Sequence, residues 1–155
     1  MLTPTQKSAL KAVALADQVA SAYITSGNDT GLAEWFNTPT VHVAWRSAMT
    51  PDQSRAAIIQ GAAQLDALTV GKRDSLFWLA SGDLKVADPT VRAAIDDLCG
   101  TQSALKAALL AAEKRTCSIA EKTLSTGTGT NAVPATLGWE GTLSGNDISE
   151  IREAA

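Results

Sequence analysis

At Thr3-Pro4, Thr50-Pro51 and Asp88-Pro89 a capping residue followed directly by proline stands at the head of a run with helical apolar spacing. An N-cap side chain accepts a hydrogen bond from an unpaired N–H of the first helical turn. Proline at the next position loses nothing there, because its missing N–H would be unpaired anyway. Each pair therefore predicts a helix start. The segment Thr50-Pro51-Asp52-Gln53 is the strongest, since Gln53 completes a capping box and Asp52 places negative charge at the positive end of the helix dipole.

The apolar spacing between these starts extends the pattern. Leu10, Val13, Ala16, Ala20 and Ile24 recur at helical spacing and predict one helix ending at Ser26-Gly27-Asn28. Asp29 or Thr30 caps a short helix holding Leu32, Trp35 and Phe36, which stops before Thr38-Pro39 because a residue preceding proline avoids the α region. From Thr50 a helix is expected to run to about Leu68, with Ile58, Ala62, Leu65 and Leu68 on one face. Thr69 caps the next, which carries Phe77, Trp78 and Leu79 and closes at Gly82; the helix after Asp88 shows a Val91, Ala94, Ile95, Leu98, Cys99 stripe and ends at Gly100. Thr101 then opens a helix with Leu105, Ala108, Leu109 and Ala112 inward, and Thr116 or Ser118 opens a short one through Leu124. Residues 40–45, T-V-H-V-A-W, are the one β-like stretch, too short for a sheet alone and read as extended linker or edge strand.

The expected fold class is thus all-α, a compact bundle of about five to six short helices. A chain of 155 residues fits one domain and buries roughly 68–70% of its unfolded surface, so it needs no staples. After Leu124 the composition changes. Ser125-Thr126-Gly127-Thr128-Gly129-Thr130-Asn131 has no periodicity, and Pro134, Gly138, Gly141 and Gly145 interrupt the residues beyond it. The domain expectation is therefore a helical body over 1–124 and an extended Gly/Thr-rich C-terminal arm over 125–155. Asn146 or Ser144 is placed to cap a last turn or two bearing Ile148 and Ile151.

Charge and cysteine content exclude several function classes. The net charge is −3, and the acids and bases from Thr116 onward account for all of it, leaving the first 115 residues neutral. An acidic chain without a clustered basic footprint argues against an autonomous nucleic-acid binder. Cys99 and Cys117 form no C-x-x-C motif and there is one histidine, so no disulfide framework or metal site is expected. The thiols read as buried small hydrophobes in a reducing compartment. The N-terminus lacks a basic start before an apolar run and no 18-residue apolar stretch exists, so neither a targeting segment nor a membrane span is expected.

Candidate chemistry is thin. Thr126-Gly127-Thr128-Gly129-Thr130 suggests an anion cradle, but neither the Walker pattern nor the dinucleotide pattern is present and no Lys stands beside it. His42 is the one side chain suited to a Ser-His or Cys-His nucleophile, and it has no local acid. Asp96 and Asp97 point in different directions on a helix and cannot share a proton. Arg46, Arg55, Lys72 and Arg73, with Trp45 nearby as a stacking surface, offer a modest basic patch, but Asp52, Asp66 and Asp74 are interleaved with them and favour an ordinary solvated surface. No catalytic residues, no metal ligands and no cofactor are assigned, and the chain is read as not an enzyme. Trp139 is different. In Leu137-Gly138-Trp139-Glu140-Gly141 it has no local core to fill, so it is read as an anchor into a pocket on its own domain or on a neighbour.

Val70-Gly71-Lys72-Arg73 before an aromatic helix, then Arg115-Thr116-Cys117-Ser118-Ile119-Ala120-Glu121-Lys122, then T-G-T-G-T followed by P-A-T-L-G-W-E-G, resembles small proteins encoded among the virion genes of tailed bacteriophages. The similarity covers about residues 35–148 and is most specific over residues 126–141. Where that family carries Met-Gly-Phe-Glu-Gly, this chain has Leu137-Gly138-Trp139-Glu140-Gly141. The resemblance implies a head-to-tail adaptor or connector, located in the virion and made in the host cytoplasm. It implies self-assembly into a ring, of about 12 copies if it matches a portal. The other implied partners are the portal and tail or neck proteins, with no membrane and with DNA only as passing cargo. Partner contact is assigned to Thr126, Gly127, Thr128, Gly129, Thr130, Pro134, Leu137, Gly138, Trp139, Glu140 and Gly141. The alternatives are a tail-completion or decoration protein, an assembly chaperone, and, last, a small enzyme using His42.

Overall fold

The computed structural model describes residues 1–154. The chain is mostly helical, with nine α-helices and one 3-10 segment among the described residues. It is not all-α. Two small sheets of two strands each are also present, one formed by β1 (Pro39–Trp45) with β2 (Lys114–Ser118) and one by β3 (Ser125–Thr126) with β4 (Thr136–Leu137). The partners β1 and β2 lie far apart in sequence, and strand formation by such short segments depends on a partner that local propensity does not reveal.

The chain divides into two compact units, Trp45–Arg115 and the remainder, Met1–Ala44 with Thr116–Ala155. The second of these is assembled from both ends of the sequence. It contains α1 (Pro4–Ala16), α2 (Gln18–Ser26), α3 (Asp29–Asn37), α8 (Ile119–Thr123) and α9 (Gly145–Glu153). The single N-terminal helix expected from periodicity is broken at Asp17, whose carboxylate accepts from Val19 N at 2.9 Å and Ala20 N at 3.0 Å. An Asp that offers the backbone this local alternative caps a new helix rather than continuing the old one. Gly27, with φ +68, ends α2 in the left-handed conformation that glycine adopts without a Cβ penalty. Leu10, Leu32, Phe36, Ile148 and Ile151 have no exposed surface and form the centre of this unit's core.

The Trp45–Arg115 unit holds α4 (Pro51–Gln60), the 3-10 segment Ala62–Ala67, α5 (Val70–Leu79), α6 (Pro89–Cys99) and α7 (Ser103–Ala112). The capping box at Thr50 forms as expected, with Gln53 N donating to Thr50 Oγ1 and Thr50 N to Gln53 Oε1 at 3.0 Å. The helix does not reach Leu68. It stops at Gln60, and Gly61 beyond it lies so close to α7 that a Cβ there would come within 2.5 Å of Leu105 Cα. The α7 N-terminus takes its cap from a distant residue, Gln64, whose Oε1 accepts from Ala104 N at 2.8 Å and Leu105 N at 3.0 Å. Met49, Leu76, Val86, Ile95, Cys99, Leu105 and Leu109 make a separate core.

Candidate partner interface

The segment that composition reads as an extended arm is packed along much of its length. Leu143, Ile148 and Ile151 are buried in the unit that also holds α1 and α3. Asn37 holds the approach to α9 by a reciprocal pair, donating from Nδ2 to Leu143 O and accepting at Oδ1 from Leu143 N, both at 2.9 Å. Ser144 and Asp147 then build a capping box at the start of α9, and the hydrogen bonds from Ser144 hold the Asp147 carboxyl below its usual range. Arg152 and Asp29 form an ion pair with Nε 3.1 Å from Oδ1. Ser144 is one of the two caps expected here and Ile148 and Ile151 lie on the helix behind it; what composition does not reveal is that this helix packs into a core with α1 and α3.

Between Ser125 and Gly141 the chain forms a hairpin-like excursion. Strands β3 and β4 pair antiparallel, Ser125 with Leu137 and Thr126 with Thr136. The intervening loop is tied to β1, with Val43 N donating to Gly129 O at 2.8 Å and Ala135 N to Val43 O at 2.9 Å. It also closes on itself. Val133 O accepts from Thr130 N and from Thr128 Oγ1, while Val133 N donates to Thr130 Oγ1 at 3.0 Å. The threonines therefore order the loop through their hydroxyls, which explains why a Gly/Thr run takes a defined shape.

The glycines divide by role. Gly129 is buried with φ +67, and a Cβ built there would fall inside the His42 imidazole. A Cβ on Gly138 would run into Leu124 O, to which Gly138 N itself donates at 3.0 Å. Gly141 N donates to Glu121 Oε1 at 3.2 Å. The other carboxylate oxygen of Glu121 accepts from Ser118 N at 3.0 Å as part of the α8 capping box.

Of the residues assigned to partner contact, Thr126, Gly127, Thr128, Thr130, Gly138, Glu140 and Gly141 are exposed. Gly129 and Pro134 are buried, and Leu137 and Trp139 are half-buried. Trp139 packs on the core of its own unit, the cluster that holds Leu10, Leu32 and Phe36. The loop also presents a residue that sequence reading passed over: Val133, 57% exposed at the tip. A lone valine among polar residues carries no periodic signal, so only its position reveals it.

His42 lies with Nε2 3.1 Å from Ser125 Oγ. Ser125 Oγ donates its one proton to Lys122 O at 2.8 Å, so His42 Nε2 carries the hydrogen and donates to the serine. The pair fastens β3 to β1, and in this arrangement the imidazole does not accept the serine's proton. Cys99 and Cys117 are both buried, and burial pushes the Cys99 thiol up. Among the described residues no three His, Cys, Asp or Glu side chains gather as a metal-binding group, and no helix is long and apolar enough to cross a membrane.

No family model matches the chain, and no curated protein or solved structure is significantly similar to it.

Proposed function

We propose that the chain is a structural component of a tailed-phage virion, a head-to-tail adaptor or connector that assembles in copies between portal and tail. In this reading the loop over residues 126–141 contacts a neighbouring subunit or the portal. The observation that carries it is the construction of that loop. Trp139, Gly138 and the Gly129–His42 contact fix its base, while Thr126, Thr128, Thr130 and Val133 stand exposed on it. A pre-ordered loop with exposed apolar and hydroxyl groups avoids much of the ordering cost of binding.

The resemblance over residues 126–141 supports the same role, and the acidic balance suits a protein beside passing DNA. Removing everything after Ser125 is a poor test, because it also removes Leu143, Ile148 and Ile151 from a core. Val133→Asp is better, since it places a charge at the exposed tip and leaves the loop's own hydrogen bonds intact. The substituted chain keeps its circular dichroism spectrum but loses co-sedimentation with portal rings. Undiminished binding to the rings would remove the loop from the contact.

A further inference from the structure

Helix α7 ends on a buried carboxyl group. Glu113 follows Ala112 at the C-terminus, where the helix dipole disfavours a negative charge, and it is 3% exposed. Around it the Trp45–Arg115 unit gathers groups from each neighbouring element. From α6 come Arg92, Asp96 one turn further on, and the buried Cys99 thiol. Asp96 is occupied by Lys106 of α7, whose Nζ lies 2.9 Å from its Oδ2. From β2 comes Lys114. Arg46, just past β1, donates from Nε to Ala112 O and from its backbone N to Glu113 O, so it holds the helix end rather than the carboxyl. The α4 residues that line a groove with this end of α7, Gln53, Ala56 and Ala57, are uncharged.

Arg92, the cation that acts most strongly on Glu113, is engaged elsewhere. Its guanidinium carbon sits 4.1 Å from the centre of the half-buried Trp45 ring, and Nη1 donates to Val86 O and, at 2.9 Å, to Ala87 O. Lys114 Nζ lies 5.5 Å from the centre of the same ring. The two carbonyls belong to the turn over residues 84–88 that leads into the α6 cap at Asp88. That turn is otherwise closed by Val86 N donating to Leu84 O at 2.8 Å and Asp88 N to Lys85 O at 2.9 Å. One guanidinium therefore stands between two sets of partners: the ring and the turn on one side, the Glu113 carboxyl on the other.

We infer that the proton on Glu113 decides between them: with the proton in place Arg92 stays on Trp45 and locks the turn, and without it Arg92 moves to the carboxylate and releases both. A buried carboxylate without a counter-ion is costly. A guanidinium–carboxylate pair is bidentate and charged on both sides, so it outweighs a stack on an aromatic ring with bonds to two neutral carbonyls. Burial pushes the Glu113 carboxyl up to about 7, which puts the exchange near neutral pH. This folded value lies above the ordinary one of 4.5, so the locked state holds below about 7 and the released state above it.

The chain carries four tryptophans, so fluorine NMR of protein labelled with 5-fluorotryptophan gives four signals, and the one lost in Trp45→Phe reports this ring. That signal should move with a midpoint of about 7. Amide exchange at Val86 and Asp88, corrected for its intrinsic rise with pH, should quicken about tenfold through the same transition. Glu113→Gln, which keeps the shape and cannot ionise, should hold the Trp45 signal at its acid position throughout. Arg92→Gln should also abolish the movement, while raising the Glu113 midpoint, read from its carboxyl carbon, because the cation that lowers it is gone. Circular dichroism checks that both variants stay folded. A Trp45 signal that stays still across neutral pH in the wild-type chain would overturn the switch, as would one that still moves in Glu113→Gln. A Glu113 carboxyl that titrates near 7 while Trp45 is unmoved would overturn it too, because the carboxyl would then ionise without drawing Arg92 away.

Discussion

At Gly129 two constraints meet on one residue. Its φ of +67 costs a non-glycine residue about 1–2 kcal/mol, and its missing Cβ is the space occupied by His42. Gly129→Ala should therefore lower the melting temperature by several degrees and disturb the His42–Ser125 hydrogen bond, which imidazole NMR shifts would report. Unchanged stability and shifts would mean that the loop is not seated on β1. A second residue sets a pH dependence. Glu113, 3% exposed, has its carboxyl pushed up to about 7, chiefly by burial, with Arg92 pulling it down and Asp96 raising it further. It also sits at the C-terminal end of α7, where the helix dipole disfavours a negative charge. Because the folded value lies above the unfolded one of 4.5, its protonated form stabilises the fold below about pH 4.5, and that contribution is lost as the pH rises through about 7. The loss amounts to about 3 kcal/mol at most. Glu113→Gln should raise the melting temperature at pH 8 and flatten its fall between pH 5 and 8; an unaltered profile would exclude this carboxyl as the source.

At the scale of elements, the C-terminal helix decides how the chain must be handled. Ile148 is fully buried, and Ile148→Ala should cost about 2–5 kcal/mol in chemical denaturation. Ser144→Ala, which removes one half of the α9 capping box, should cost about 1 kcal/mol. A melting curve unmoved by either change would mean that α9 is dispensable. Much of the helical pattern is legible in the sequence, because caps are local chemistry. Thr3, Thr50, Thr69 and Asp88 each cap the helix expected of them. The features that escape local reading depend on distant partners: β2 needs β1, the glycine at position 61 is required by the approach of Leu105, and the cap of α7 needs Gln64. The loop over residues 126–141 stands out by composition, yet its order comes from Val43, His42 and Leu124, which composition does not connect to it. Val133, the residue most useful for testing that loop, carries no signal in the sequence.

At the scale of the whole molecule, both ends of the chain build one unit and the middle builds the other, so the residues after Ser125 belong to a packed unit rather than to a separate arm. The central claim is that this chain is built into the virion. Quantitative mass spectrometry of purified phage particles, with antibody-gold labelling of intact and tail-less heads, tests it most directly. The chain is expected in stoichiometric ratio to the portal, with label confined to the head–tail junction. A chain abundant in infected cells yet absent from the purified particles would contradict that claim.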